Sequence, residues 1–303
     1  MLRRLVPATA AAALLLTGLT ACSAQNANAG DCASPLKHGA LSDGVTVLGQ
    51  AGEAPQVSIP EDVKIETSQR TVVSETEDAR AARVVDGTLI GLMMNFYDAS
   101  TGKQIYSTDQ GPAYMVVSKE KETPITNAVL CAAVGDRVVL ALSPEDSAPL
   151  AMQLGGTASS SIVGVLDVDS AAPLRARGPE RGLPSGFPAV VTNDDGRPGI
   201  VLPPTAAPKG TKSAVRIAGD GAVVKADSSV VAQVLTVDWE GRTADGSTWD
   251  SGPVMMGGEK DAPQNGYTYR AELTGQKVGS QVVIIENAEG GAKVHVVDIL
   301  GVA

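Results

Sequence analysis

The segments "AAVGDRVVLAL", residues 132–142, and "QKVGSQVVIIE", residues 276–286, decide the fold of this 303-residue chain. Each has a Val-Gly turn followed by a run of β-branched residues, which is typical of a buried strand. Two further pairs match in the same order, "APQVSIP" (54–60) with "RPGIVLP" (197–203), and "SIVGVLDV" (161–168) with "AKVHVVDI" (292–299). Ordered matches at nearly constant spacing indicate an internal repeat.

Each copy combines several alternating strand patterns with one short helical pattern just before its Val-Gly turn, "ITNAVLCAAVG" in the first and "YTYRAELTGQKVG" in the second. Short strands separated by Asp-Gly and Gly-Gly turns favour antiparallel pairing. The sequence therefore predicts an α+β fold, in which each copy is a curved antiparallel β-sheet wrapped around one short helix. The segment before the last strand is shorter in the second copy.

The N-terminus predicts export. Arg3 and Arg4 precede an apolar Ala/Leu run that is too short to span a bilayer, so residues 1–21 are interpreted as a secretory signal peptide. Its end, "LTAC", resembles a bacterial lipobox, which implies lipidation of Cys22 and anchoring at the extracytoplasmic face of the cell membrane. The alternative is an ordinary signal peptide that happens to contain a cysteine.

The composition along the chain predicts the boundaries of the tether, the two domains and the linker between them. Residues 22–44 are interpreted as the lipidated cysteine and a tether, and residues 45–169 as the first domain. Residues 170–189 are rich in Pro and Gly and are interpreted as a linker, and residues 190–303 as the second domain.

Net charge, cysteines and histidines indicate which kinds of site and partner to expect. A net charge of −10 disfavours binding to nucleic acid. Cys32 and Cys131 are predicted to form a disulfide in an oxidising compartment, the alternative being two unrelated thiols. His38 and His295 stand alone, so no metal site is expected, and the alternation of His295 with two valines predicts that it faces solvent.

Three ordered stretches of the second copy carry a family resemblance. "GDGAVVKADSS" begins at Gly219, "VVAQVLTVDWEGRTADGSTWDSG" at Val230 and "LTGQKVGSQV" at Leu273. Together with the element order, they resemble the FKBP-type peptidyl-prolyl cis-trans isomerases, in the tandem lipoprotein form of actinobacteria. The resemblance implies an isomerase or foldase that needs no cofactor, with proline-containing peptides or secreted proteins as clients.

The resemblance also implies where a pocket would lie. The family's strand tyrosine falls on Val234, its Phe-Asp pair on Trp249 and Asp250, and its floor tryptophan on Tyr269, while its loop tyrosine has no counterpart. Prolyl isomerisation needs an apolar pocket that favours the twisted amide, and an open pocket admits water. We therefore expect activity that is weak or lost, and a first copy that serves as scaffold.

Less specific interpretations remain open for each of these residues. Trp249 could fill the core, Asp250 could cap a turn, and Tyr269 could be a packing residue. For the chain as a whole, the alternative function is a non-catalytic lipoprotein that binds a protein or peptide and uses the FKBP fold as a scaffold.

Overall fold

The computed structural model describes residues 32–108, 111–154, 161–288 and 290–303. The predicted signal peptide and Cys22 lie outside these residues. Residues 33–303 form one compact unit, which holds every element named below. None of the helices in the described ranges has the length and apolar character needed to cross a membrane.

The first copy opens with a short helix and a hairpin, and continues into a six-stranded sheet. Its elements are α1 (Ala40–Gly44), β1 (Thr46–Leu48), β2 (Gln56–Ser58), β3 (Gln69–Ser74), β4 (Thr88–Asp98), β5 (Gln104–Ser107), β6 (Ala113–Val116), α2 (Pro124–Val129), β7 (Arg137–Leu142), α3 (Pro144–Leu154) and β8 (Ile162–Pro173). The antiparallel strands run in the order β3-β7-β8-β4-β5, and β6 also pairs with β4.

The second copy repeats this plan. Its elements are β9 (Ala189–Thr192), β10 (Pro198–Val201), β11 (Gly210–Ile217), β12 (Val230–Asp238), β13 (Ala244–Ser247), β14 (Val254–Met256), two 3-10 turns (Ala262–Asn265 and Arg270–Leu273), β15 (Gln281–Ala288) and β16 (Gly291–Val302). The strand order is β11-β15-β16-β12-β13, with β14 also beside β12.

The two sheets match in register as well as in order. The first strand of each sheet carries a bulge, between Val72 and Ser74 in β3 and between Val215 and Ile217 in β11. The predicted α+β class is confirmed, with two curved antiparallel sheets and a short helical segment packed on each. In the second copy that segment is a 3-10 turn, and the extra residues before β8 in the first copy include α3.

Both faces of the second sheet are covered. Tyr269 and Leu273 pack on one face, and the β9-β10 hairpin and Trp239 pack on the other. The expectation that His295 faces solvent is therefore wrong, because it is only 5% exposed. Alternation indicates a solvent-facing residue only where one face of a sheet is open to water.

Chain segments outside the sheets are also tied to them. β8 extends to Pro173, inside the segment interpreted as a linker, and the amide of Ala176 donates to the carboxylate of Asp298 at 2.8 Å. The phenol of Tyr114 donates to the carbonyl of Val302 at 2.7 Å, which joins the two sheets. The predicted disulfide is present, since Cys32 and Cys131 are both disulfide-bonded.

Candidate functional site

A cavity of about 430 Å³ opens on the helical side of the second sheet, towards the end of the β15-β16 hairpin. Its lining comes from β12, β13, β14, β15, β16 and the loop between the two 3-10 turns, and includes Val234, Thr236, Asp245, Thr248, Tyr267, Tyr269, Glu286, Lys293 and His295. The curvature of the sheet brings these strands around one space. The volume lies within the usual range for small-ligand sites.

Tyr269 is the aromatic floor of this cavity. It is 4% exposed, and its ring stacks on the imidazole of His295 with centroids 4.0 Å apart and planes at 25°. Tyr267 meets Tyr269 edge to face at 6.4 Å. Burial raises the pKa of the Tyr269 phenol above its ordinary value, so the hydroxyl stays neutral.

His295 has one satisfied and one unsatisfied ring nitrogen. Nδ1 lies 3.0 Å from the hydroxyl of Thr236, whereas Nε2 is buried and has no hydrogen-bond partner among the described residues. Glu286 Oε2 lies 3.4 Å from Nε2, close enough for electrostatic attraction but outside hydrogen-bond geometry. Burial lowers the pKa of His295 to about 4, against the opposing effect of Glu286, so the imidazole is neutral at pH 7.

The charged groups of the cavity divide into a pair and a single carboxylate. Lys293 Nζ donates to Asp245 Oδ2 at 2.7 Å, and this pair holds the pKa of Asp245 below and that of Lys293 above their ordinary values. Glu286 Oε2 accepts a hydrogen bond from the hydroxyl of Thr268 at 2.9 Å. With His295 neutral, Asp245, Lys293 and Glu286 together give the cavity one net negative charge.

Two of the four pocket positions implied by the family resemblance meet in this cavity. Val234 and Tyr269 both line it. Trp249 is half-buried and is not among the lining residues. Asp250 is exposed, and the guanidinium of Arg197 binds both of its oxygens, at 2.7 and 2.8 Å, which lowers the pKa of Asp250. The other two positions thus lie outside the space that Val234 and Tyr269 share.

Sequence reasoning missed the polar side chains of the cavity. His295 and Glu286 lie on strands that otherwise read as apolar, and their partners come from other strands. A signal was present in β16, where Lys293 and His295 precede Val297 and Ile299 on the same face of the strand. That change from polar to apolar marks the edge of the cavity. No group of three or more metal-ligating side chains converges within the described ranges.

Comparisons with known proteins give structural likeness only. No protein-family model matches the chain, and no curated protein is similar to it in sequence. Among solved structures, the chain is similar to the three FKBP domains of wheat FKBP73, with 12% identity, a TM-score of 0.31, and coverage of 78% of this chain and 94% of that one. It is also similar to the N-terminal domain of FKBP42 from Arabidopsis thaliana, with 14% identity, a TM-score of 0.30, and coverage of 41% and 99%. At TM-scores this low, function has to be inferred from the chain's own residues.

Proposed function

We propose that this chain is an FKBP-type protein of the extracytoplasmic membrane face, anchored by a lipid on Cys22. Its second sheet binds a proline-containing segment of a secreted client, and any isomerase activity is weak. The observation that carries the proposal is the shared cavity of Val234 and Tyr269, the strand and floor positions implied by the family motifs. An apolar wall and an aromatic floor suit the pyrrolidine ring of proline.

Weak activity is expected because the remaining parts of the pocket are not assembled. Stabilising a twisted amide needs polar groups aimed at it in a site that excludes water. The carboxylate of Asp250 is directed to Arg197, and its side chain is 69% exposed. The β15-β16 pairing continues to Ala288 and Gly291, which leaves only a two-residue connection and no long loop to close the cavity.

A second candidate is a binding module without catalysis. The pairing of Asp250 with Arg197 favours it, because that carboxylate is unavailable to a ligand in the cavity. Under this alternative the cavity holds a peptide but does not lower the barrier to rotation of its prolyl bond.

The two candidates separate in one experiment on the full-length chain. We expect slow but measurable acceleration of the cis-to-trans isomerisation of a proline tetrapeptide, abolished by Tyr269→Ala and unchanged by Asp250→Asn. Binding of the peptide in calorimetry without any acceleration would favour the binding module. Neither binding nor acceleration would reject both candidates. Circular dichroism of Tyr269→Ala checks that the variant is folded.

A further inference from the structure

The polar side chains of the cavity are not required by the fold. Matching registers place Thr236 opposite His295 in the second sheet where the first sheet places Phe96 opposite Gly164. In the same way, the Glu286 and Lys293 pair of the second sheet matches Leu142 and Ile162 in the first. In the first copy, Phe96, Leu142 and Ile162 belong to one apolar cluster, and each is at most 2% exposed.

The second copy thus carries a hydroxyl, a carboxylate and an ammonium in place of three apolar core residues, and an imidazole in place of a glycine. Burying polar groups opposes folding unless each finds a partner. His295 Nε2 lacks such a partner among the described residues, although its side chain is only 6% exposed. Because the first copy folds the same sheet without these groups, their presence points to a ligand.

Among the polar side chains of the cavity, Glu286 has a hydrogen-bond acceptor that is free to bind a ligand. Among the described residues, both of its contacts, with Thr268 and His295, involve Oε2, which leaves Oε1 without a partner. The side chain is 18% exposed, so it is partly desolvated yet reachable from the cavity. Lys293 lies opposite Glu286 in the β15-β16 register but donates its hydrogen bond to Asp245.

We propose that this cavity recognises a lysine or arginine side chain of a peptide, with Glu286 Oε1 accepting from its cationic end. The proposal rests on the proposed function, since it names which residue of a client the cavity prefers. Tyr267 and Tyr269 lie edge to face in the same cavity and offer aromatic surface to the alkyl stem and the cation. The acidic chain, with a net charge of −10, attracts basic segments from a distance.

The test uses three tetrapeptides that differ only before proline, where they carry lysine, acetyl-lysine or leucine. Calorimetry on the full-length chain should give about tenfold tighter binding of the lysine peptide than of the other two, the order expected for a hydrogen bond to a charged group. Acetyl-lysine keeps the length and removes the charge, so this comparison needs no protein variant.

Protein variants then locate the acceptor. Glu286→Gln should bring the lysine peptide down to the affinity of the acetyl-lysine peptide. Glu240→Gln, at an exposed position outside the cavity, removes the same charge from the chain and should leave all three affinities unchanged. Because salt weakens an ion pair, 1 M salt should not restore tight binding of the lysine peptide to Glu286→Gln.

Failure of the lysine preference and failure of the proposed function would give different results. Equal binding of the three peptides, or unaltered preference in Glu286→Gln, would overturn the lysine preference and leave a proline-binding cavity. Binding of none would overturn both. Butylamine binding as tightly as the lysine peptide would overturn the assignment to a peptide and identify a small cationic ligand instead.

Discussion

One buried carboxylate, Asp298, should contribute a large pH dependence to the free energy of unfolding. It is 1% exposed, and accepts hydrogen bonds from the amide of Ala176 and from Gln281 Nε2, both at 2.8 Å. These bonds only partly offset its burial, which raises its pKa from 3.8 to about 6. Arg216 donates to Gln281 rather than to Asp298, so no cation within the described ranges binds Asp298 directly.

The magnitude follows from that shift. About two pKa units correspond to roughly 3 kcal/mol, at about 1.4 kcal/mol for each unit. Because the folded pKa lies above the unfolded value, the folded state holds the proton more tightly. The stabilisation is complete below about pH 4 and is lost as the pH rises through about 6.

Denaturant unfolding between pH 4 and 7.5, followed by tryptophan fluorescence, measures this directly. Both tryptophans, Trp239 and Trp249, lie in the second copy with Asp298, so they report on its unfolding. Burial lowers the pKa of His295 to about 4, so His295 contributes in the opposite direction over the same range, and the effect of Asp298 is measured as the difference between the wild type and Asp298→Asn. That difference in the free energy of unfolding should fall by about 3 kcal/mol from pH 4 to pH 7.5. A variant whose pH profile runs parallel to that of the wild type would refute the reasoning.

The first copy provides the matched control. Asp167 occupies the position of Asp298, but Arg137 replaces Gln281 and binds both of its oxygens, at 2.6 and 2.7 Å. Asp167→Asn leaves Arg137 buried without a counter-charge, and should cost about 3–5 kcal/mol near pH 7, measured by circular dichroism. The same substitution therefore acts differently in the two copies.

Three further predictions concern other parts of the chain. Asp250→Asn should leave the free energy of unfolding essentially unchanged, since its pair with Arg197 is exposed, and chemical denaturation measures this. Trp239→Leu should destabilise the second copy by about 2–4 kcal/mol in the same assay, because Trp239 is 2% exposed and its Nε1 donates to the carbonyl of Thr205. Under the proposed lipid anchor, Cys22→Ser should move the chain from the membrane fraction to the soluble fraction in cell fractionation; retention in the membrane would contradict the anchor.

The sequence predicts the sheets well and the cavity only in part. Strand alternation and the ordered repeat are sufficient for the fold, because buried strands leave a dense apolar pattern along the chain. Val234 and Tyr269 could be placed because family motifs carry them. The pairing of Asp250 with Arg197 could not be foreseen, since Arg197 lies in the β9-β10 turn, far away in sequence.

The polar group around His295 escaped prediction for a related reason. Thr236, Glu286 and His295 lie on three different strands, and only the registers β12-β16 and β15-β16 bring them together. A lone histidine between valines reads as a solvent-facing residue until the covering of both faces is known. The pattern of polar residues along a single strand therefore does not predict a site whose side chains come from several strands.

The difference between the two copies lies in volume as well as polarity. A Cβ atom added at Gly164 would lie 2.7 Å from the ring of Phe96, so the absence of a side chain there lets the phenylalanine pack against the sheet. At the matching places, Thr236 is smaller than phenylalanine, and His295 is stacked under Tyr269. Thr236 on β12 leaves empty the space that the ring of Phe96 fills in the first copy. His295 then supplies a flat surface on which Tyr269 stacks. The two changes depend on each other, because a phenylalanine opposite His295 would compete with the imidazole for the same space. An open cavity with polar walls is therefore a coordinated property of the second copy, which the fold permits and does not require.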